Sequence, residues 1–221
     1  MALHHSPRIV TNGLVLCLDA GSRKSYGGTG NVWRDLAGSN NGTLTNGPTF
    51  SSANGGSIVF DGTNDAISLS NITPTSGASF CAWININGYN SNYGTIFANW
   101  SDVGGGTAYW IGTLSNQSTT IQVFFNGSLI SDITSLSLNT WMLLTISHTG
   151  SICKGYINAI ERFSLSSILT TSTNNTSIGY DITRTNYPFK GNISQASIYN
   201  RALTPAEIQQ NYNATKGRYK L

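Results

Sequence analysis

Charged side chains are scarce in this chain of 221 residues. They make up 10% of it, so solubility must rest on Asn, Ser, Thr and Gly, a composition that suits strands and turns more than helices. The formal charge is +3, and no run of Lys or Arg is longer than Arg23-Lys24. A phosphate backbone requires a clustered positive field, so no nucleic-acid partner is expected. The basic residues that do occur lie mainly near the two ends, in Arg23-Lys24 and in Lys216, Arg218 and Lys220. Long apolar runs are missing as well, which excludes membrane insertion by a spanning helix. Cysteine is limited to Cys17, Cys81 and Cys153, each inside an apolar run and too far apart for a zinc or redox motif. An odd number cannot pair completely, so buried free thiols are expected. The opening MALHHSPRIV lacks the apolar centre of a signal peptide, and synthesis in a reducing cytosol follows as an expectation.

What is abundant is short strand-like runs broken by Gly, Asn, Ser and Pro. Bulky residues suffice to fill a two-sheet core, with five Trp, ten Tyr and eight Phe. Leu14–Asp19 reads as an opening strand, and 57–61 and 66–69 flank Gly62-Thr63-Asn64 as a hairpin. In 80–86 the two-residue period places Phe80, Ala82, Ile84 and Ile86 on one face and Cys81, Trp83 and Asn85 on the other. Further strands are expected at 95–98, 109–112, 121–125, 141–148, 153–158, 177–180 and 191–199, with Asn126-Gly127 as a turn and 141–148 paired to 153–158. One helix is expected over about 204–214. Thr204 can cap it, Pro205 suits its first turn, Glu207 completes a capping box, and Gly217 supplies a stop. The fold class is all-β, a two-sheet antiparallel jelly-roll sandwich with one short C-terminal helix. Residues 1–12 are read as an N-terminal arm and 13–221 as one domain.

The residues also carry a resemblance. Gly13-Leu14-Val15-Leu16 with Leu18-Asp19-Ala20, Ile58-Val59-Phe60-Asp61-Gly62 with Asn64-Asp65, and Phe80-Cys81-Ala82-Trp83-Ile84 resemble laminin-G-like jelly rolls of the concanavalin A-like lectin/glucanase superfamily. The likeness continues at Trp141, Gly155-Tyr156-Ile157-Asn158 and Ile198-Tyr199-Asn200-Arg201-Ala202-Leu203-Thr204. The opening, with its Gly-rich loop, Trp33-Arg34-Asp35-Leu36 and Asn41-Gly42-Thr43-Leu44, looks like modules encoded by tailed phages. That likeness implies a virion surface protein, made in the host cytoplasm and joined to capsid or tail proteins, either as a capsid decoration subunit or as a fibre-associated module. Homo-oligomerisation is the accompanying expectation.

Because the superfamily includes glucanases, catalysis has to be weighed. Retaining glycosidases place two carboxyl groups about 5 Å apart. Here the only glutamates are Glu161 and Glu207, and Asp61 and Asp65 flank a turn, so the chain is read as non-catalytic, with a lectin-like carbohydrate-binding adhesin as the rival to a virion structural protein and a glycan hydrolase as the remote alternative. Related jelly rolls often hold calcium, for which Asp19, Asp61, Asn64 and Asp65 are the candidate ligands; the competing reading is that Asp and Asn bond their own turn. For a glycan such as host-surface polysaccharide, Tyr89, Tyr93, Trp100 and Tyr109 are the candidate stacking residues among Gly- and Asn-rich loops, unless they serve packing or an interface. Trp83, Trp110 and Trp141 sit within strands and are read as core. His148, with no acid beside it in sequence, is read as structural.

Overall fold

The computed structural model describes residues 8–88, 93–100, 108–114, 117–181 and 187–221. The first strands are β1 (Leu14–Asp19), β2 (Val32–Trp33), β3 (Gly42–Thr45), β4 (Thr49–Ser51), β5 (Ser57–Asp61) and β6 (Ala66–Leu69). They are followed by β7 (Ala78–Ile86), β8 (Gly94–Asn99), β9 (Tyr109–Leu114), β10 (Gln117–Phe125) and β11 (Ser128–Ile133). The last are β12 (Trp141–His148), β13 (Ile152–Ile157), β14 (Ile160–Ser166), β15 (Thr176–Ile178) and β16 (Lys190–Tyr199). One sheet runs β14-β13-β12-β7-β16-β5-β4, with β1 also on β16; the other runs β11-β10-β9-β8-β15-β6-β3-β2. The architecture is therefore the antiparallel two-sheet jelly roll that the strand pattern implied.

The alternation in β7 sorts as expected. Phe80, Ala82, Ile84 and Ile86 enter the main core between the sheets, where they meet Ile111, Val123, Phe125 and Ile146. Each buried Phe, Ile or Val among them contributes about 1.5–3 kcal/mol. Cys81 and Trp83 face outward. The β12–β13 hairpin also forms, with Leu144 opposite Ile157 and His148 opposite Cys153. All three cysteines are buried and free, and burial pushes the Cys153 and Cys81 thiols up to about 12.

The stretch from 57 to 69 is not a hairpin. β5 pairs with β4 and β16 in one sheet, whereas β6 pairs with β3 and β15 in the other. Turn chemistry at Gly62 (φ 85°) makes a corner between sheets, since local sequence specifies the bend and not the partner. Short strands β2, β3, β4, β11 and β14 were not legible in the sequence. They are edge or near-edge pieces; β14 is almost wholly exposed and so lacks a clean apolar alternation.

The helix α1 (Pro205–Thr215) begins as expected: the Thr204 side chain accepts from the Glu207 N–H and the Glu207 carboxylate accepts from the Thr204 N–H. A 3₁₀ turn over Lys216–Tyr219 continues it past the expected end. Together they cover the outer face of the first sheet. Tyr219 stacks on Trp83 with ring centroids 4.1 Å apart and lies 4.8 Å from Trp141. The Trp83 indole N–H donates to Thr215 Oγ1 at 2.8 Å. Residues 8–12, expected as part of an arm, belong to this layer. Val10 is buried, its N–H donates to Asn211 Oδ1, and its carbonyl accepts from the Tyr199 hydroxyl. One polar group of the helix and one at the end of β16 hold that backbone, which a reading of composition could not reveal. Residues 1–7 of the expected arm lie outside the described residues.

Candidate functional site

The outer face of the second sheet carries the other aromatic cluster. Ile111 and Val123 point into the core, so the two-residue period turns Trp110 and Phe124 outward on β9 and β10. These two face each other across the strands, with ring centroids 5.7 Å apart at 75°. Trp100, just past β8, meets Phe124 edge-on at 5.9 Å. Tyr93, just before β8, meets Trp110 at 5.7 Å and Tyr187 at 5.0 Å. The five rings and Gly127 line a cleft of about 250 Å³.

The floor is fixed by contacts that a mobile patch would lack. The Trp110 indole N–H donates to the buried Thr95 Oγ1 at 3.1 Å. A Cβ on Gly112 would lie 2.5 Å from the indole, so the ring rests directly over that glycine. On the rim, Asn126 (φ 49°) and Gly127 (φ 72°) make the tight β10–β11 turn. Gly127 has nothing within 4 Å of a Cβ and leaves the mouth open. No described lining residue is charged.

Two of the four expected stacking residues, Tyr93 and Trp100, meet in this cleft. Tyr109 does not. It starts β9 one residue before Trp110, faces the core, and its hydroxyl donates to the Ile72 carbonyl at 2.9 Å. Burial raises its pKa strongly. Tyr89 lies outside the described residues. Trp110, expected to be core, is buried at 3% exposure and forms the floor of the cleft, whereas Phe124 and Tyr187 were missed. Strand parity could have found the first two: with Ile111 and Val123 inside, the neighbours Trp110 and Phe124 must face out. Tyr187 comes from a distant segment and had no local signal.

The proposed calcium ligands do not assemble as a set of four. Both carboxylate oxygens of Asp19 accept from Arg218, at 2.7 and 2.9 Å. Asp61 Oδ1 accepts from the Thr63 N–H at 2.7 Å, and Asp65 Oδ2 accepts from the Asp61 N–H at 2.9 Å. The Asn64 carbonyl accepts from Asn46. Asp61 and Asp65 hold the corner, and burial raises the pKa of Asp65. Among the described residues no group of three or more His, Cys, Asp or Glu side chains could hold a metal ion. Glu161 bonds Lys154 and Tyr156, while Arg201 holds Glu207 down at about 2. His148 is buried beside Phe125; its Nδ1 accepts from the Gly150 N–H, and desolvation lowers its pKa to about 4.

A laminin-G family model, described as the concanavalin A-like lectin/glucanases superfamily, matches residues 61–209. The chain belongs to this superfamily. Solved structures agree in fold, and this concanavalin A-like chain spans only about a third of the sialidases among them. Trypanosoma rangeli sialidase in complex with sialic acid matches with TM-score 0.74 and 13% identity, over 93% of this chain and 33% of that one. Domain 4 of AbnA, an extracellular arabinanase from Geobacillus stearothermophilus, in complex with arabinotriose, matches with TM-score 0.70 and 19% identity, over 90% and 98%. The binding domain of Paraclostridial Mosquitocidal Protein 1 matches with TM-score 0.70 and 18% identity, over 92% and 52%. No curated protein matches the sequence. Identities this low speak to fold alone; the fold is lectin-like.

Proposed function

We propose that the chain is a non-catalytic carbohydrate-binding module whose ligand is a neutral glycan seated in the aromatic cleft. The observation that carries this reading is the ring-lined cleft itself, five aromatic side chains held in fixed geometry on an outer sheet face. Sugar rings offer apolar C–H faces to aromatic surfaces, and their hydroxyls keep the rim wet. The likeness to an arabinanase domain solved with arabinotriose and to a toxin binding domain supports it. The non-catalytic part rests on the carboxylates: none lies among the described lining residues, and both glutamates are held by cations.

Phe124→Ala and Tyr187→Ala test the site. Each is half-buried, so the fold should persist, while binding to arabinan or glucan oligosaccharides on an array should weaken about tenfold. Running the array with calcium and with EDTA makes the metal a measured variable. Wild-type protein that binds no neutral glycan would refute the reading.

The place of use we assign is a tailed-phage virion surface, in contact with capsid or tail proteins and as a homo-oligomer. The phage-like opening residues support it, and Ile160 and Ile168, 62% and 66% exposed, are apolar side chains available for such contacts. Mass spectrometry of purified particles from the source decides it. Absence of the chain from every particle refutes it.

A further inference from the structure

The C-terminal basic turn reaches the segment that leads from β1 into Arg23-Lys24. Asp19 at the end of β1 binds Arg218 of the C-terminal 3₁₀ turn through both carboxylate oxygens. The Arg218 side chain lies against Gly21 and Gly55, where a Cβ would come within 2.9 and 3.0 Å of it. These glycines border a second cleft, of about 240 Å³, with Arg23, Tyr26, Gly27 and Phe50 also in its lining. It shares no residue with the aromatic cleft.

The chemistry of this cleft differs from that of the first. The turn from Ser22 to Tyr26, closed by the Ser25 and Tyr26 N–H groups donating to the Ser22 carbonyl, projects Arg23 and Lys24 outward. Both are exposed, and among the described residues neither joins an ion pair. The nearby acid, Asp19, is already committed to Arg218. A guanidinium without a carboxylate thus stands at the rim of a cleft whose wall is the half-buried Phe50 ring, backed by the buried Tyr26 ring with centroids 5.6 Å apart. Tyr26 is fixed by its hydroxyl, which donates to the Gly30 carbonyl at 2.8 Å. Glycine at 27 and 28 exposes backbone along the floor; Gly28, at φ 92°, is also held to a backbone that side chains rarely adopt.

A planar guanidinium matches a carboxylate in a bidentate fork, an aromatic wall takes the C–H face of a sugar ring, and exposed backbone bonds hydroxyls. We propose that this second cleft binds an acidic sugar, a pyranose bearing a carboxylate, so that the module has separate sites for neutral and acidic residues of a polysaccharide. This rests on the reading of the chain as a carbohydrate-binding module. It adds to that reading a ligand class the first cleft, with no charged lining among its described residues, does not recognise.

The test uses the full chain against tetragalacturonate, hyaluronan oligosaccharides and a sialylated oligosaccharide, with methyl-esterified tetragalacturonate and dextran sulfate as controls. Arg23→Ser removes the guanidinium. Gly27→Leu fills the cleft without strain, because Gly27 has an ordinary φ and nothing within 4 Å of a Cβ. The expected result is that at least one of the carboxylated oligosaccharides binds and its uncharged ester, where tested, does not. Each variant should weaken that binding about tenfold with an unchanged melting temperature. Phe124→Ala should leave it intact, so loss of neutral-glycan binding and loss of acidic-glycan binding report on the two sites separately. Three results overturn the proposal: no carboxylated sugar binds, dextran sulfate binds equally well and is indifferent to Gly27→Leu, or Arg23→Ser has no effect.

Discussion

The outer faces of the two sheets carry the same kind of residue and meet different fates. On the first sheet Trp83 and Trp141 lie beneath the C-terminal segment, with Tyr219 against both and Tyr212 stacked 6.0 Å from Trp83. On the second, Phe124 packs edge-to-face with both Trp100 and Trp110, and Tyr93 and Tyr187 stand beside the cleft. The chain covers the first cluster with its own helix, whereas the second borders a cleft lined by described residues from β8 to β10 and from the segment before β16. An aromatic on a sheet's outer face is therefore neither core nor site by itself; what covers it decides.

The comparison breaks most visibly at matched substitutions. Trp83→Ala removes a fully buried indole, its stack on Tyr219 and its bond to Thr215, and should cost about 3–5 kcal/mol in a denaturant titration. Phe124→Ala on the open face should cost about 1 kcal/mol and act mainly on ligand binding. Equal stability losses would mean that the second cluster is also structural.

Acid tests the layer between the faces. His148 is neutral in the fold, with a pKa lowered from about 6.5 to about 4 by burial. The unfolded chain takes up this proton first as pH falls, so the contribution is fully present above about pH 6.5 and is lost progressively toward pH 4. The total is about 3 kcal/mol, and His148→Leu should flatten that part of the stability–pH curve.

Smaller effects sharpen the role of the cover. Asp19→Asn weakens the clasp to Arg218, the two side chains being 13% and 26% exposed, and should cost about 1–2 kcal/mol, and added salt should reproduce part of this loss in the wild type. Thr204→Ala removes the cap of α1 and should cost about 1 kcal/mol. Hydrogen exchange should show both changes first in residues 205–219, with β8 to β10 unaffected.

The sequence by itself determined the class of fold, most strands with a regular apolar alternation, the free buried thiols and the capping box of the one helix. These depend on period, on turn residues and on side-chain bonds within a few positions of each other. It also marked Tyr93 and Trp100. Only the tertiary structure decided that β5 and β6 belong to different sheets, that Val10 is held by Asn211 and Tyr199, that Asp19 serves Arg218, and that Trp110, Phe124 and Tyr187 close one cleft. The physical reason is separation. A strand states which of its two faces is apolar, but its neighbours and whatever covers its outer face come from residues tens to hundreds of positions away, and no local pattern records them.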